Sequence, residues 1–144
     1  MKLRKHVRLE NYDYRSNGYY YITICSANKI RFLGEYRQII ESTLAEIEQR
    51  YNGTKTDYYY LMDDHLHIIF ILENSSVSLS QVIGSFKSLT TLKAKKVGFK
   101  GKRFWQPNYY EHVIRNDSAL QKIREYIENN PLAEELKWEE LDKK

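Results

Sequence analysis

Two histidines separated by one leucine, His65-Leu66-His67, sit inside an apolar run that opens with Tyr58-Tyr59-Tyr60-Leu61-Met62 and continues as Ile68-Ile69-Phe70-Ile71-Leu72. Alternate side chains of an extended chain project to the same face, so a strand here sets the two imidazoles side by side. A buried strand rich in Tyr, Ile and Phe is a costly place for two imidazoles unless a partner satisfies their ring nitrogens. Neutral imidazole is the commonest metal-binding side chain, which makes a divalent cation the simplest such partner. The plainer alternative is a pair of core or surface histidines satisfied by hydrogen bonds.

The elements around this pair can be read from periodicity and punctuation. Residues 1–18 are polar and basic and close on the turn signal Arg15-Ser16-Asn17-Gly18. Tyr19-Tyr20-Tyr21-Ile22-Thr23-Ile24-Cys25 consists almost wholly of β-formers. Over about residues 35–51, Tyr36, Ile40, Leu44, Ile47 and Tyr51 recur at helical spacing, and Asn52-Gly53 stops the helix. Asp63-Asp64 interrupts the histidine segment (about residues 57–72), which reads either as one bent strand or as a tight hairpin. Ser78 can cap a helix over Leu79–Lys96 whose buried stripe is Val82, Ile83, Phe86, Leu89 and Leu92. A basic, glycine-containing connector over 98–107 leads to a strand at 109–115. A last long helix follows, with capping-box spacing between Ser118 and Gln121, apolar Leu120, Ile123 and Ile127, and a stop at Pro131.

Helices this few, and strands spaced this unevenly, do not build a doubly wound parallel sheet. The order strand, helix, strands, helix, strand, helix fits an α+β chain with a ferredoxin-like antiparallel sheet, helices packed on it and the histidine strand central. The 144 residues form one domain in this reading, with a basic N-terminal arm over about 1–17 and a tail over about 132–144.

Charge and composition narrow the partners. The formal net charge is +4, and the cations cluster. Lys2, Arg4, Lys5 and Arg8 open the chain, and Lys87, Lys93, Lys95, Lys96, Lys100, Lys102 and Arg103 form a second group, so a polyanion is the natural partner and a solvated lysine face the bland one. Thirteen tyrosines offer apolar faces with polar tips, suited to stacking on nucleobases as well as to half-exposed strands. Cys25 is the only cysteine, so no intrachain disulfide can form and a reducing cytoplasm is the expected compartment. No apolar stretch has the length of a membrane span, and the basic N-terminus lacks the apolar core of a signal peptide.

In the last helix Tyr126 and Asn130 stand four residues apart, about one turn, so their side chains share a face at the edge of the apolar stripe. Should that helix pack over the histidine strand, a phenol, a carboxamide and two imidazoles meet. Alternatively, Tyr126 is a boundary tyrosine and Asn130 merely caps the helix end.

Taken together these blocks resemble the REP-associated tyrosine transposases, of the single-tyrosine HUH transposase class. The likeness covers nearly the whole chain. It runs through Tyr12-Asp13-Tyr14, Gly18-Tyr19-Tyr20-Tyr21-Ile22-Thr23-Ile24-Cys25, His65-Leu66-His67 and Ser85-Phe86-Lys87-Ser88. It continues through Phe104-Trp105-Gln106-Pro107, Tyr110-Glu111-His112-Val113-Ile114-Arg115-Asn116 and Tyr126-Ile127-Glu128-Asn129-Asn130-Pro131. The resemblance implies His65 and His67 as ligands of a divalent metal, Mg²⁺ or Mn²⁺, Asn130 as the third ligand and Tyr126 as the nucleophile. Tyr109 and Tyr110 are rival nucleophiles, ranked lower for want of Tyr126's spacing to Asn130. One departure is plain: where the family usually has Pro-Asn before the first histidine, this chain has Asp63-Asp64.

The chemistry so implied is metal-dependent nicking and strand transfer on single-stranded DNA that carries a hairpin, through a 5′-phosphotyrosine. A phenol with an ordinary pKa of about 10 needs such help to attack a phosphodiester at neutral pH. Arg4, Lys5, Lys87, Lys102, Arg103 and Arg115 are the candidate phosphate contacts. Trp105 is a candidate base-stacking platform, or else an anchor of the connector. The competing reading is a ferredoxin-like module that binds single-stranded nucleic acid without cutting it. A small-molecule hydrolase fits less well, because only Asp63 and Asp64 put carboxylates near the histidines in sequence. Relatives of this class act as monomers or homodimers, and both remain open from the sequence.

Overall fold

Runs of aromatic and β-branched residues make the sheet, and their alternation decides what each face touches. In the computed structural model, which describes residues 17–129, β1 spans Gly18–Cys25, β2 Thr54–Leu61, β3 His65–Leu72 and β4 Tyr110–Ile114. The helices are α1 (Arg37–Arg50), α2 (Leu79–Lys96) and α3 (Asp117–Asn129). The strands pair antiparallel in the order β2-β3-β1-β4, which is the ferredoxin-like arrangement with the histidine strand central. Except for Asn17, the residues assigned to the basic arm lie outside the described residues, as does the 132–144 tail.

Period-two alternation divides the sheet into two interfaces. Tyr20, Ile22 and Ile24 of β1 and Leu66, Ile68, Phe70 and Leu72 of β3 meet α1 and α2 in the larger core. Tyr21, Ile69, Tyr110 and Ile114 face the other way, against Ala119, Leu120, Ile123 and Ile127 of α3. His65 and His67 therefore belong to the α3 face. Among the described residues no helix is long and apolar enough to cross a membrane.

The structure decides between some local alternatives and corrects other expectations. The histidine segment is a hairpin rather than one bent strand: Met62 N–H donates to the His65 carbonyl at 2.8 Å around Asp63-Asp64. Leu92 is 52% exposed, because the buried line of α2 runs Val82, Ile83, Phe86, Thr90, Ala94, drifting away from it at four-residue steps. Ser78 caps α2 as expected, and Gln81 completes a capping box with it. At α3, however, Asn116 is the cap, its Oδ1 accepting from Ala119 N–H at 2.7 Å, so the helix starts one residue before Ser118.

The attachment of α3 uses a feature that periodicity does not reveal. The β2–β3 register shifts between Thr56 and Tyr58, a bulge at Asp57. Both Asp57 and Tyr58 thereby reach α3. The Arg124 guanidinium donates two bonds to the Asp57 carboxylate, at 2.9 and 2.7 Å, and the Tyr58 phenol is hydrogen-bonded to Glu128. Tyr126 lies between these two contacts on the helix.

Two substitutions test this account. Arg124→Ala strands the Asp57 carboxylate and should cost about 1.5–3 kcal/mol in chemical unfolding. Amide exchange in α3 should then accelerate ahead of that in β1 and β3. Gly53 has φ +82°, and an added Cβ would lie 2.2 Å from the Glu73 carbonyl oxygen. Gly53→Ala should therefore lower stability by ~1 kcal/mol or more, measured as a shift of the denaturation midpoint.

Candidate active site

The hairpin turn gives its two aspartates different tasks. Asp63 faces outward, with Arg31 Nη2 at 3.4 Å, and its carbonyl accepts from Leu33 N–H at 2.9 Å. Asp64 turns to its neighbour: its Oδ1 lies 2.6 Å from His65 Nδ1. The backbone carbonyl of Asp64 accepts from Ser26 N–H at 3.0 Å, tying the turn to the end of β1.

Register builds the rest of the site. His65 pairs with Cys25 and His67 with Thr23, while Tyr60 of β2 flanks His67 on the other side. Tyr60 is 39% exposed and presents an aromatic side chain at the rim. The two imidazole centroids are 4.8 Å apart with rings almost perpendicular. His67 is fully buried. Its Nδ1 is 2.5 Å from the Tyr21 hydroxyl and 3.3 Å from Thr23 Oγ1, whereas its Nε2 has no hydrogen-bond partner.

Burial sets the charge states here. Desolvation first, and the neighbouring His65 second, push the His67 pKa down to about 3, so the ring is neutral at physiological pH and keeps a lone pair to offer. The Tyr21 phenol is driven well above its ordinary range by burial and stays protonated.

The Tyr126 ring of α3 lies 6.4 Å from the His67 ring, centroid to centroid, at 87°. It is half-buried, packed at the margin of the Tyr21–Ile69–Ile123–Ile127 cluster. Phenol and imidazole pair thus meet, as packing of the last helix over the histidine strand would require. Of the rivals, Tyr109 belongs to the α1–α2 core, whereas Tyr110 shares the α3 face, opposite Thr23 in register and edge-on to Tyr21 at 6.4 Å. Asn130 lies outside the described residues, so the candidate metal ligands among them are the two imidazoles. Among them no cluster of three or more His, Cys, Asp or Glu could hold a cation. The imidazoles fit one nevertheless. A buried ring nitrogen without a partner is the kind of atom that ligation satisfies, and of the two cations Mn²⁺ is the better match for nitrogen donors.

The candidate DNA contacts divide into two groups. Lys102 and Arg103 are exposed. The residues after them join the end of β1, through the Ser26–Trp105 bridge and Gln106 N–H to the Cys25 carbonyl at 2.9 Å, which puts the connector at the His65 end of the sheet. Arg115 is also exposed, but just beyond the Ile114–Tyr19 pair, roughly 14 Å or more along the strands from the Thr23–His67 pair. Arg4 and Lys5 lie outside the described residues.

Lys87 is placed otherwise than expected, and Trp105 takes the second of its two readings. The Lys87 ammonium donates to the carbonyls of Gln106, Pro107 and Asn108 at 2.7, 3.2 and 3.4 Å, and burial pulls its pKa down to about 8. It ties α2 to the connector instead of facing solvent. Trp105 is 5% exposed, packed on Phe86 and Phe104, with its indole N–H donating to Thr90 at 2.6 Å. Its ring is core, the anchor of the connector, and not a free stacking surface.

Tyr21, Thr23, Asp57 and Arg124 were missed by motif reading. Alternation alone puts Tyr21 and Thr23 on one face of β1, but only the register to β3 brings them to His67.

Comparison with known proteins agrees with this geometry. A chain from Haemophilus influenzae described only as an uncharacterized protein is 34% identical, over 95% of this chain and 91% of that one. A second H. influenzae protein, provisionally named a REP-associated tyrosine transposase, is 23% identical over 86% of this chain and 77% of its own. The structure of a REP-associated tyrosine transposase bound to a REP hairpin superposes with a TM-score of 0.72 at 20% identity, covering 88% of this chain and 73% of that one, and so shares the fold. The sequence profile of the IS200-like transposases matches residues 14–130, a span that contains the whole described sheet-and-helix unit. By that match the chain belongs to the IS200-like transposase family.

Proposed function

We propose that this transposase cuts and rejoins single-stranded DNA carrying a hairpin, with Tyr126 as the nucleophile and His65, His67 and Asn130 as ligands of a divalent metal. The observation that carries the reading is the meeting of the Tyr126 ring with the buried, neutral His67 imidazole, whose Nε2 lacks a partner. The hairpin is suggested by the fold neighbour, which holds a REP hairpin. The reaction would take place in the cytoplasm, on the cell's own DNA.

In the forward step the Tyr126 phenolate oxygen attacks the scissile phosphorus. The P–O3′ bond breaks, the departing 3′-oxygen takes up a proton, and a 5′-phosphotyrosine remains. A 3′-hydroxyl from another strand then reverses the exchange, expelling the phenolate, so one phosphodiester is lost and one regained without an energy donor. Mg²⁺ or Mn²⁺ on the imidazole pair would supply the positive charge that polarises the scissile phosphate. The chain itself contributes position. The Arg124–Asp57 fork and the Ile123–Ile127 face hold α3 on the sheet, and Tyr126 is carried with it. Exposed Lys102 and Arg103 stand where they can take the phosphates leading to the histidine end, and the rim aromatic Tyr60 can stack on an unpaired base.

The experiment is incubation of the purified chain with labelled single-stranded hairpins from its own genome, with Mn²⁺ and with chelator. We expect a covalent protein–DNA adduct with Mn²⁺ that Tyr126→Phe reduces to background. Salt-dependent binding with no adduct in the wild type would instead establish a binding module. A Lys102→Ala/Arg103→Ala double variant should weaken single-strand binding about tenfold. Loss of two phosphate contacts should also flatten the slope of log K against log salt by about 1.4.

A further inference from the structure

We propose that Asp64 and Tyr21 are positioning residues that hold both imidazoles with the proton on Nδ1, so that the two Nε2 atoms offer lone pairs to one divalent cation. The cation belongs to the function proposed above. The tautomers are a property of the chain alone.

For His65 the partner decides. A carboxylate only accepts hydrogen bonds, so the contact between Asp64 Oδ1 and His65 Nδ1 at 2.6 Å places the hydrogen on Nδ1. Its negative charge also makes the opposite nitrogen a better donor to a cation, as carboxylate–imidazole pairs do in metal sites generally. This gives Asp64 a role at the position where the family pattern has an amide. Asp63, one residue earlier, is spent on Arg31 and the turn, and has no share in it.

For His67 the partner is ambiguous and the far nitrogen decides. The Tyr21 hydroxyl, 2.5 Å from Nδ1, can donate or accept. Were it to donate into Nδ1, the ring hydrogen would sit on Nε2, buried and without an acceptor. With the hydrogen on Nδ1 every group is satisfied. His67 Nδ1–H donates to Tyr21, whose hydroxyl is in turn hydrogen-bonded to Thr23, and Nε2 keeps its lone pair for ligation. Thr23 Oγ1, at 3.3 Å from the same Nδ1, closes the cluster. His67 is thus held by a neutral relay and His65 by an anion.

Long-range ¹H–¹⁵N correlation on the metal-free protein at pH 8 reads the tautomers directly. Both histidines should carry the proton on Nδ1. Asp64→Ala should move His65 toward the Nε2-protonated form, and Tyr21→Phe should do the same for His67 alone. Asp64→Asn, which retains an acceptor, should preserve the His65 tautomer. Mn²⁺ affinity, followed by paramagnetic resonance of free ion, should fall about 10–100-fold in Asp64→Ala and Tyr21→Phe. Backbone spectra and melting temperatures would establish that the variants are folded. A wild-type histidine protonated on Nε2, or folded variants with unchanged tautomers and unchanged Mn²⁺ affinity, would overturn the positioning roles. Nδ1 tautomers together with no Mn²⁺ binding would overturn the shared cation, and with it the metal in the proposed function. Mn²⁺ binding without a DNA adduct would count against Tyr126 as nucleophile and leave Asp64 and Tyr21 in place.

Discussion

A slip of one residue between β1 and β3 would turn both imidazoles into the α1–α2 core, because successive strand side chains face opposite ways. The register that prevents it, Thr23 opposite His67 and Cys25 opposite His65, is the constraint from which the site follows. It is held by hydrophobic mismatch: Leu66, Ile68, Phe70 and Leu72 would lose a core of large apolar side chains if they exchanged faces with the histidines. The same register sets Tyr21 and Thr23 beside His67, so the packing that buries the imidazole also supplies its hydrogen bonds.

The second layer is less massive and more polar. α3 covers the histidine face through a short stripe, Ala119, Leu120, Ile123 and Ile127, and through the Arg124 fork on Asp57. An apolar stripe on a helix tolerates small rotations, whereas two parallel hydrogen bonds to one carboxylate do not. The bulge at Asp57 is what brings that carboxylate around to α3. The division of labour suits the proposed reaction, in which a nucleophile stays near the imidazole pair and is still reached by a nucleic acid strand: the core holds the imidazoles, and the helix presents the phenol at a half-buried margin.

Much of the architecture was legible because local patterns were strong. The limits of α2 and its cap follow from Ser78 and an apolar repeat. The strand assignments follow from dense β-formers, and the ferredoxin-like class from element order. The misreadings have physical causes. Leu92 fits a helical stripe on paper, but a stripe advancing by fours passes it, leaving Thr90 and Ala94 inside. Lys87 reads as a solvent-facing cation because charge is the strongest feature of a lysine in sequence. In three dimensions its long stem lets the ammonium reach carbonyls of a connector that nothing in the local sequence places there. Trp105 is equally suited to a base or to a core, and only the neighbourhood of Phe86, Thr90 and Phe104 distinguishes the two.

The sequence by itself determined that two imidazoles would share a strand face and that Tyr126 would lie at the edge of an amphipathic helix, since both depend only on the fixed periods of strand and helix. It also carried the family membership, in blocks whose order survives without coordinates. Which side chains complete the site was decided only by tertiary structure: Tyr21 and Thr23 at His67, Arg124 on Asp57, and the Tyr126 ring against the imidazole. Those contacts join residues far apart in the chain, and no local period encodes a strand register, a bulge or the angle at which a helix comes to rest on a sheet.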